Sequence, residues 1–573
     1  LWAPLAGRLA DSYRQGRECV LLVPEQYTLQ AERDALAALD VPGFFRLRVL
    51  SPSRFARAVF ERAGRDPRVV IDERGKLMTM ARAVWSARAD LSFYASAREK
   101  PGFAHKLTQA VSELKGAGLG PEGLEAHLSS LDKPEPKLSD LARLYREYES
   151  LLAGHLIDQE DEDRELLARF TGSGLFDGAD FFVYGFDLLS EPLVRLLAAC
   201  AKKARRMLVA LVMDRESAPD GEAFAPVRRS AARLTQALGE AGLPWSYAWA
   251  PAEKAAPGDA LSHLRGQFLR LKQEPYPGKA SEIRIFAGKT PHEELRWAAQ
   301  QIRQELRAGV QPREMAVLLA QDGYAGQLPS VFADYGVPHY LAEKEPVLAH
   351  PLVRCLTDAL DCIQAAAWKQ EDVLSYAKNP FSPLTAEEGW ALENWALRFG
   401  IRGSRWTRPF SGGGDEERAA AEALRQKAVS PIIALRDALV QAKDASDSVR
   451  AVLAFLESLD AHGRVTRLEQ EMLECGLPEQ ALRTRQVWDQ LIGLLEQMDE
   501  LLGRERIPLG RFPEWLREGL GMTELSALPP QDNCVQAGAL GQVMARRPKA
   551  VFILGLNGGA LNVSDEALLG DGE

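Results

Sequence analysis

Cysteine is scarce in this sequence and forms no recognisable framework. Six cysteines are scattered over 573 residues, whereas small secreted domains that depend on disulfides are much denser in cysteine. Cys355 and Cys362 are close enough to share a helix face, but no histidine stands beside them at the spacing of a zinc site. We therefore predict that both are buried core residues and that the protein works in a reducing, cytoplasmic compartment.

Long apolar runs are also missing. No stretch approaches the roughly 18 apolar residues that a membrane-spanning helix needs, so we expect no membrane segment. The net charge of −10 argues against a protein that coats nucleic acid indiscriminately, although it leaves room for a local basic track. No secretory leader is visible. The first residues, LWAPLAGRLADSYRQG, read as a helix already under way and lack an initial Met, so we expect a truncated start.

A third absence concerns chemistry. Hydrolysis of ATP by a motor protein requires a phosphate loop of the form G-x-x-x-x-G-K-[ST] and an acidic pair that holds Mg²⁺ and orients water. The sequence contains no such loop. The acidic segment LIDQEDEDRELL at 156–167 is predicted to be a solvated helix start. We predict no catalytic residue and no metal ligand within the chain.

What is present is a set of short apolar runs separated by helical periodicity. Most runs have apolar residues at consecutive positions, which is typical of strands buried on both faces of a parallel sheet. We predict an α/β protein with two sheets, each interrupted by a helical insertion, and a linker at 272–282, KQEPYPGKASE. The predicted strands are Cys19–Val23, Arg46–Leu50, Phe181–Tyr184, Met207–Val212, Ile283–Ala287, Met315–Leu319 and Val551–Leu554.

Polar side chains follow the first two predicted strands. Ligands of parallel α/β proteins bind at the carboxyl ends of strands, where loops and helix N-termini point outward. Ser53 is predicted to cap a helix whose free N–H groups would face an anion, while Gln26 can pair with a base edge and Tyr27 can stack. For either segment alone, an ordinary capped helix or turn is the alternative. The candidate DNA-binding residues at these strand ends are Gln26, Thr28, Ser51, Ser53, Arg54 and Arg57.

Six segments occur along the chain in the order VLLVPEQYTLQAERDAL, VLSPSRFARAVFERAG, PGFAHKLTQAVSELKGAGL, KLSDLARLYREYESLL, VPHYLAEKEPVLAHPLVRCLTDAL and VFILGLNGGALN. Together they resemble the AddB (RexB-type) subunit of the bacterial AddAB helicase–nuclease, which processes double-stranded DNA ends for recombination. The resemblance implies two RecA-like domains of the superfamily 1 helicase type, each with a helical insertion. The implied divisions are 1–60 and 176–280 for the first domain, 61–175 for its insertion, 281–365 and 528–573 for the second domain, and 366–527 for its insertion.

The resemblance implies a subunit that binds DNA but does not hydrolyse ATP to move along it. Tyr184 and Gly185 stand where an active helicase would have adjacent acids, while Asp187 comes two residues late and Glu191 a turn further on. In the family, the inactive helicase domains retain a single-strand channel that reads the Chi recombination hotspot.

Some positions carry the residue types that line this channel in the family, and others do not. Gln26, Thr28 and Arg54 match residue types that contact Chi in the family, whereas Pro52 and Arg57 stand where members can carry aromatics that stack on bases. These departures put the particular Chi sequence in doubt, and Chi reading with it. A further base contact is expected around 186–190, with Phe186 or Leu189 as the candidate; a core position explains Phe186 equally well.

The resemblance also implies cofactors outside this segment: ATP at a phosphate loop upstream of Leu1, and Mg²⁺ and a [4Fe–4S] cluster in a nuclease domain that would follow Glu573. The implied partners are an AddA-type helicase–nuclease subunit, as a heterodimer, and single- and double-stranded DNA ends. One alternative is an active ATP-dependent helicase whose phosphate loop is truncated, and another is a scaffold module that does not touch DNA.

Two further motifs are assigned structural roles. His350, in LAHPLV, has no nucleophile beside it in sequence, so we predict that it caps or packs. Trp406 lies among arginines in FGIRGSRWTRPF, a pattern that can track single strands, but within an insertion we favour a role in folding or subunit contact.

Overall fold

The computed structural model describes most of the chain, and it divides into two compact units. The first unit contains Leu1–Val69, Lys115–Gly118 and Gln159–Glu294, and the second contains Val70–Leu114, Leu119–Asp158 and Leu295–Glu573. The described residues are 2–100, 102–130, 135–213, 224–250, 259–268, 270, 272–342, 345–364, 368–503, 506–508, 510–525, 533–541, 543, 548–559 and 568.

The strands are short and most are strongly apolar. In chain order they are β1 (Cys19–Leu22), β2 (Leu47–Leu50), β3 (Val69–Val70), β4 (Leu156–Ile157), β5 (Asp180–Val183), β6 (Arg206–Val209), β7 (Met315–Leu319), β8 (His339–Leu341), β9 (Glu345–Pro346), β10 (Glu524–Leu525), β11 (Val535–Ala539) and β12 (Ala550–Leu554).

Helices make up most of the rest. The α-helices are α1 (Trp2–Arg14), α2 (Thr28–Leu39), α3 (Pro52–Ala63), α4 (Glu73–Ala87), α5 (Phe103–Ala117), α6 (Pro121–Ser129), α7 (Pro136–Leu152), α8 (Gln159–Gly172), α9 (Glu191–Lys203), α10 (Ala225–Glu240), α11 (Ala260–Gln267), α12 (Pro291–Arg307), α13 (Leu328–Asp334), α14 (Pro351–Ile363), α15 (Gln370–Ala377), α16 (Ala386–Phe399), α17 (Asp415–Gln441), α18 (Ala445–Ser458), α19 (Ala461–Glu474), α20 (Pro478–Leu502) and α21 (Arg511–Gly521). Short 3₁₀ turns cover Glu25–Tyr27, Tyr94–Ser96, Pro312–Glu314, Asp322–Tyr324, Val347–Ala349 and Gly403–Thr407.

A parallel sheet in the order β2-β1-β5-β6 forms the centre of the first unit. Val20 and Leu22 point into a core shared with α3, α8 and α9, whereas Cys19 and Leu21 point into a core shared with α1 and α2. Because consecutive side chains of a strand face opposite sides, both faces of β1 are covered. The prediction of parallel strands buried on both faces is confirmed for β1 and β5, whereas β2 and β6 at the sheet's edges are partly exposed.

The second unit contains another parallel sheet, in the order β12-β7-β11-β8. Its core takes residues from β7, α12 and α13. The α/β class predicted from the sequence is therefore confirmed. One predicted strand is wrong: residues 283–287 form no strand, and Ile285 is 95% exposed. The segment is mostly apolar, as a buried strand would be, but no neighbouring strand among the described residues pairs with it.

A large helical core completes the second unit. Helices from two separate stretches of the chain, including α4, α5 and α7 from the first and α14–α18, α20 and α21 from the second, share one hydrophobic cluster. Cys355, Cys362 and Trp406 are buried in this cluster, which confirms the predicted core role of the cysteines and a folding role for the tryptophan.

His350 has the capping role predicted for it. Its Nδ1 accepts a hydrogen bond of 3.2 Å from the backbone N–H of Leu352 at the start of α14. Burial lowers the pKa of His350 to about 4, which keeps the ring neutral and able to accept at neutral pH.

None of the helices in the described ranges is long and apolar enough to cross a membrane.

Candidate nucleic-acid interface

Two polar turns leave the same edge of the first sheet. β1 and β2 are parallel neighbours, and Leu22 lies opposite Leu50 at their carboxyl ends. After β1, Pro24 precedes the 3₁₀ turn Glu25–Tyr27, which leads into α2. After β2, the chain enters α3 directly. The register of the two strands therefore brings together the two segments that the sequence singled out.

Glu25 connects these two turns. Its Oε1 accepts a hydrogen bond from the backbone N–H of Ser53, and its Oε2 accepts one from the Ser53 hydroxyl, both at 2.8 Å. The carboxylate therefore occupies the N-terminus of α3, where the helix dipole favours negative charge. The sequence predicted that this position would hold an external anion; the chain supplies one of its own.

The cap of α3 differs from the prediction. Ser51, not Ser53, is the N-cap residue, and its hydroxyl oxygen accepts a 3.3 Å hydrogen bond from the backbone N–H of Arg54. Pro52 occupies the first helical position, where a fixed φ and a missing N–H are both tolerated. This proline preference moves the cap two residues towards β2. Ser51 is fully buried.

Arg54 and Arg57 lie on the exposed side of α3. Arg54 pairs with Glu32 of α2 at 3.2 Å, and Arg57 pairs with Glu61 one turn along its own helix at 2.9 Å. Cations in the first turn of a helix oppose its dipole, and the neighbouring carboxylates offset that cost. Exposed ion pairs of this kind contribute about 0.2–1 kcal/mol each, so a phosphate group can replace either carboxylate at little cost.

Gln26 and Thr28 have different environments although they are two residues apart. Gln26 is exposed, and its side chain makes no hydrogen bond to any described residue. Thr28 is buried, and its hydroxyl donates to the backbone carbonyl of Glu25 at 3.3 Å. Gln26 is therefore free to pair with a ligand, whereas Thr28 stabilises the turn that presents it. We call Glu25, Gln26, Ser53, Arg54 and Arg57 the strand-end surface.

The end of β5 adds an aromatic cluster to this edge. Tyr184 packs between Trp2 and Tyr27, with ring centroids 5.1 and 5.8 Å apart. Phe186 is half-buried against the core on the α3 side of the sheet. Leu189, the other candidate in this loop, is 2% exposed. Both positions therefore contribute packing in this structure.

Gly185 is held close to the turn after β1. Its φ is +85°, and a Cβ there would lie 3.3 Å from Cδ of Pro24. We expect Gly185→Ala to lower the free energy of unfolding by about 1–2 kcal/mol, because alanine pays for the left-handed backbone and crowds Pro24. Gly178→Ala is the matched control, since Gly178 has a φ of +73° and open space around it. Equal losses for the two variants in urea unfolding would contradict this close contact.

The contact between Glu25 and Ser53 has a pH signature. Burial acts to raise the pKa of Glu25, but hydrogen bonds from Ser51 and Ser53 and the charge of Arg54 outweigh it, so the pKa lies below its ordinary value of 4.5. A carboxyl with a lowered folded pKa stabilises the fold above its unfolded pKa, and this contribution disappears as the pH falls through the folded value. We expect Glu25→Ala to cost about 1 kcal/mol at pH 7.

Unfolding curves at pH 7 and at a pH below the folded pKa of Glu25 test this expectation. The difference between wild type and Glu25→Ala should shrink at the lower pH, because the wild-type carboxyl is then protonated. A difference that is the same at both pH values would show that Glu25 does not act through its charge.

Together, these observations define a class: an α/β protein with a polar, partly cationic edge at the carboxyl ends of two parallel strands. Residues 8–264 match the family model described as ADDB, N-terminal. The predicted resemblance to the AddB type is therefore confirmed, and the matched segment is similar to that family.

Relatives extend the similarity to nearly the whole chain. Three ATP-dependent helicase/deoxyribonuclease subunits of the B type are similar to it. The one from Desulforudis audaxviator is 30% identical over 95% of this chain and 50% of its own length. The one from Moorella thermoacetica is 30% identical over 97% and 51%, and the one from Alkaliphilus metalliredigens is 25% identical over 95% and 50%. The chain thus spans about half the length of these relatives.

The sequence predicted most members of this edge but not how they are connected. It missed Glu32, which depends on a contact between α2 and α3, and the role of Glu25, which depends on how the turn after β1 meets the start of α3. A signal was present for Glu25, because an acid follows the first strand just as a helix start follows the second. Its partner Ser53 lies 28 residues away, so spacing alone could not identify the pair.

Proposed function

We propose that this chain is the helicase-like part of an AddB-type subunit, and that its strand-end surface binds one strand of unwound DNA. The observation that carries the proposal is that Gln26, which bonds to no described residue, and Arg54 are both exposed and follow neighbouring parallel strands at the same edge of the sheet. The complete subunit would act with an AddA-type partner in an ATP-dependent helicase–exonuclease that processes double-strand breaks for recombinational repair, in the cytoplasm.

The two parallel sheets support an assignment to RecA-like domains. We propose the divisions predicted from the sequence: sheet segments at 1–60 with 176–280 and at 281–365 with 528–573, and helical insertions at 61–175 and 366–527. Each sheet has neighbours distant in sequence, since β1 lies beside β5 and β7 lies beside β11. Such long crossovers leave room for inserted helices.

In the proposed binding mode, the amide of Gln26 pairs with a base edge and Arg54 contacts a phosphate. A good base contact discriminates by about 1–3 kcal/mol, and phosphate contacts add affinity that falls with salt. Glu32 is the internal competitor for Arg54, and the strand would displace it. Arg57 offers a second phosphate contact once it leaves Glu61.

The proposed subunit does not drive translocation itself. At the end of β5, the positions that would need an acidic pair carry Tyr184 and Gly185, and Tyr184 is packed into an aromatic cluster. Glu191, which follows on α9, is engaged with Arg195 at 3.2 Å. We therefore infer that none of Tyr184, Gly185 and Glu191 holds Mg²⁺ beside a phosphate. Substantial DNA-stimulated ATP hydrolysis by the isolated full-length subunit would favour an active motor instead.

Chi reading is a finer proposal on the same surface. Gln26 and Arg54 are the residues that would read or position the hotspot, and Thr28 and Ser51 would act by shaping the turns. Arg57 replaces a stacking platform with a cation, so we propose that recognition here depends on polar and phosphate contacts more than on stacking.

Glu32→Gln tests the proposal in a direction that damage to the fold cannot imitate. Because the neutral amide no longer holds Arg54, we expect single-stranded DNA to bind several-fold more tightly. The measurement is the fluorescence anisotropy of a labelled oligo(dT) at low and moderate salt. Asp11→Asn, which removes an exposed acid on α1, controls for the general change in charge.

Two results would count against the proposal. If Glu32→Gln and Asp11→Asn changed the affinity equally, Arg54 would not be the group released. If the wild-type chain bound no oligo(dT) at low salt, a scaffold role without DNA contact would be favoured.

A further inference from the structure

A cavity in the helical part of the second unit combines tryptophans with cations. It has a volume of about 290 Å³ and lies between α4, the segment after the Tyr94–Ser96 turn, and α21. Trp85 and Trp515 contribute aromatic surface, and Ala81 and Val84 add aliphatic surface. The cationic lining residues are Arg88, Arg98, Lys100, Arg511 and Arg517.

The cations of this cavity are only partly neutralised. Arg511 pairs with Glu514 at 2.8 Å and with Glu99 at 3.6 Å, and Arg517 pairs with Asp361 at 2.7 Å. Within the described residues, the other three cations, Arg88, Arg98 and Lys100, have no carboxylate partner. The lining also contains three acids, Glu99, Glu514 and Glu518. Five cations outnumber them, so the cavity carries a modest excess of positive charge, which favours an anionic ligand.

Arg98 lies at the cavity with one part of its side chain bonded and another buried. One end of its guanidinium donates to the backbone carbonyl of Arg88. Its Nε is buried and bonds to no described group. A buried donor without a partner costs about 1–3 kcal/mol, so native structures rarely contain one unless a water or a ligand satisfies it. A ligand in the cavity would meet the accessible part of the guanidinium rather than this buried Nε.

Trp85 adds a preference for a flat ligand. Its ring is half-buried at the cavity, and the guanidinium of Arg88 lies 4.0 Å from the ring centroid. Trp515 is 7% exposed and forms part of the apolar floor. Indole and guanidinium planes are the surfaces on which nucleobases stack. Glu518, whose Oε1 accepts from the backbone N–H of Gly102 at 3.1 Å, adds an acceptor for a base amino group.

We propose that this cavity binds one nucleotide unit, with the base against Trp85 and the phosphate beside Arg98 and Lys100. The volume lies at the lower end of the roughly 300–1,000 Å³ typical of ligand pockets, which suits a single nucleotide better than a longer segment. The unit is either a free mononucleotide or the terminal nucleotide of a single strand. This site is separate from the strand-end surface, and it lies within the second unit.

The direct test is a calorimetric titration of the full chain with dAMP. Deoxyadenosine lacks the phosphate and 2-deoxyribose 5-phosphate lacks the base, so we expect each to bind at least about tenfold more weakly than dAMP. A 5′-phosphorylated oligo(dT) of eight residues tests the alternative source. Saturable binding of the oligonucleotide to the variant Gln26→Ala/Arg54→Ala, without binding of dAMP, would identify a strand terminus as the occupant of the cavity.

Three variants connect binding to the cavity. Arg98→Gln, Lys100→Gln and Trp85→Leu should each weaken the nucleotide that binds by about tenfold or more. Arg418→Gln, which removes a partly exposed arginine that pairs with Asp415 on α17, should leave the affinity within about twofold. Thermal unfolding of each variant confirms that it is folded.

The outcomes separate this site from the proposed function. The variant Gln26→Ala/Arg54→Ala should retain nucleotide binding in the cavity even where binding of longer strands is lost. If folded Arg98→Gln and Lys100→Gln bind both probes as the wild type does, or if neither probe binds the wild type, the proposal is overturned. The first result would leave the strand-end surface unaffected, whereas failure of the wild type to bind the oligonucleotide would count against that surface as well.

Discussion

Asp140→Ala is expected to lower the free energy of unfolding by about 3 kcal/mol, because its carboxylate is buried and satisfies several donors at once. Its Oδ2 accepts from the backbone N–H groups of Ser92, Phe93 and Tyr94 at 3.0, 2.8 and 3.0 Å. The Ser92 hydroxyl donates to Oδ1 at 3.3 Å. Alanine would leave these donors without their acceptor in a region where Asp140 is 3% exposed. Urea unfolding at pH 7 measures the loss.

Two matched variants define what Asp140 contributes. Asp140→Asn keeps one acceptor oxygen, so we expect a loss of about half that of alanine. Ser139→Ala alters the exposed neighbour on α7 and should change the stability by less than about 0.5 kcal/mol. A loss below about 1 kcal/mol for Asp140→Ala would contradict the role of this carboxylate in fixing the turn that precedes Arg98.

The double substitution Gln26→Ala/Arg54→Ala should weaken binding of single-stranded DNA by about tenfold to a hundredfold. Gln26 would lose a base contact of about 1–3 kcal/mol, and Arg54 would lose a phosphate contact. Loss of one phosphate contact should also reduce the slope of log affinity against log salt by about 0.7. Anisotropy titrations at several salt concentrations give both quantities.

Arg62→Ala is the control for this experiment. Arg62 is an exposed cation in the last turn of the same helix, α3, but it lies away from the strand ends. It should change the affinity by less than about threefold. If Arg62→Ala weakened binding as much as Arg54→Ala, the helix would act only as a diffuse positive surface, and the assigned contacts would be wrong.

Much of the first sheet could be predicted from the sequence because its two central strands are buried on both faces. A run such as Cys19–Leu22 has only one good environment, the centre of a parallel sheet. By contrast, β11 has the sequence VQAGA, whose small residues have weak strand propensity, and it was not predicted. Residues 283–287 have a strand-like pattern but no strand beside them, which local pattern cannot reveal.

For the candidate site, likewise, the sequence predicted positions that depend on local order but not the contacts between distant segments. The sequence places Gln26 and Arg54 at strand ends, since that depends on local order. It could not show that Glu25 reaches Ser53, nor that Thr28 and Ser51 face inward, because these facts depend on how two turns pack. The cavity was harder still, since Arg98 and Arg511 are more than 400 positions apart in the chain.

The most direct measurement of the central claim is where a bound strand touches the chain. An oligo(dT) that carries 4-thiothymidine would be photo-crosslinked to the protein, and the tryptic peptides would be identified by mass spectrometry. The account predicts crosslinks in the peptides 18–33 and 49–54, which contain Gln26 and Arg54, and their loss in the double variant. Crosslinks elsewhere in the chain, with none in these two peptides, would contradict it.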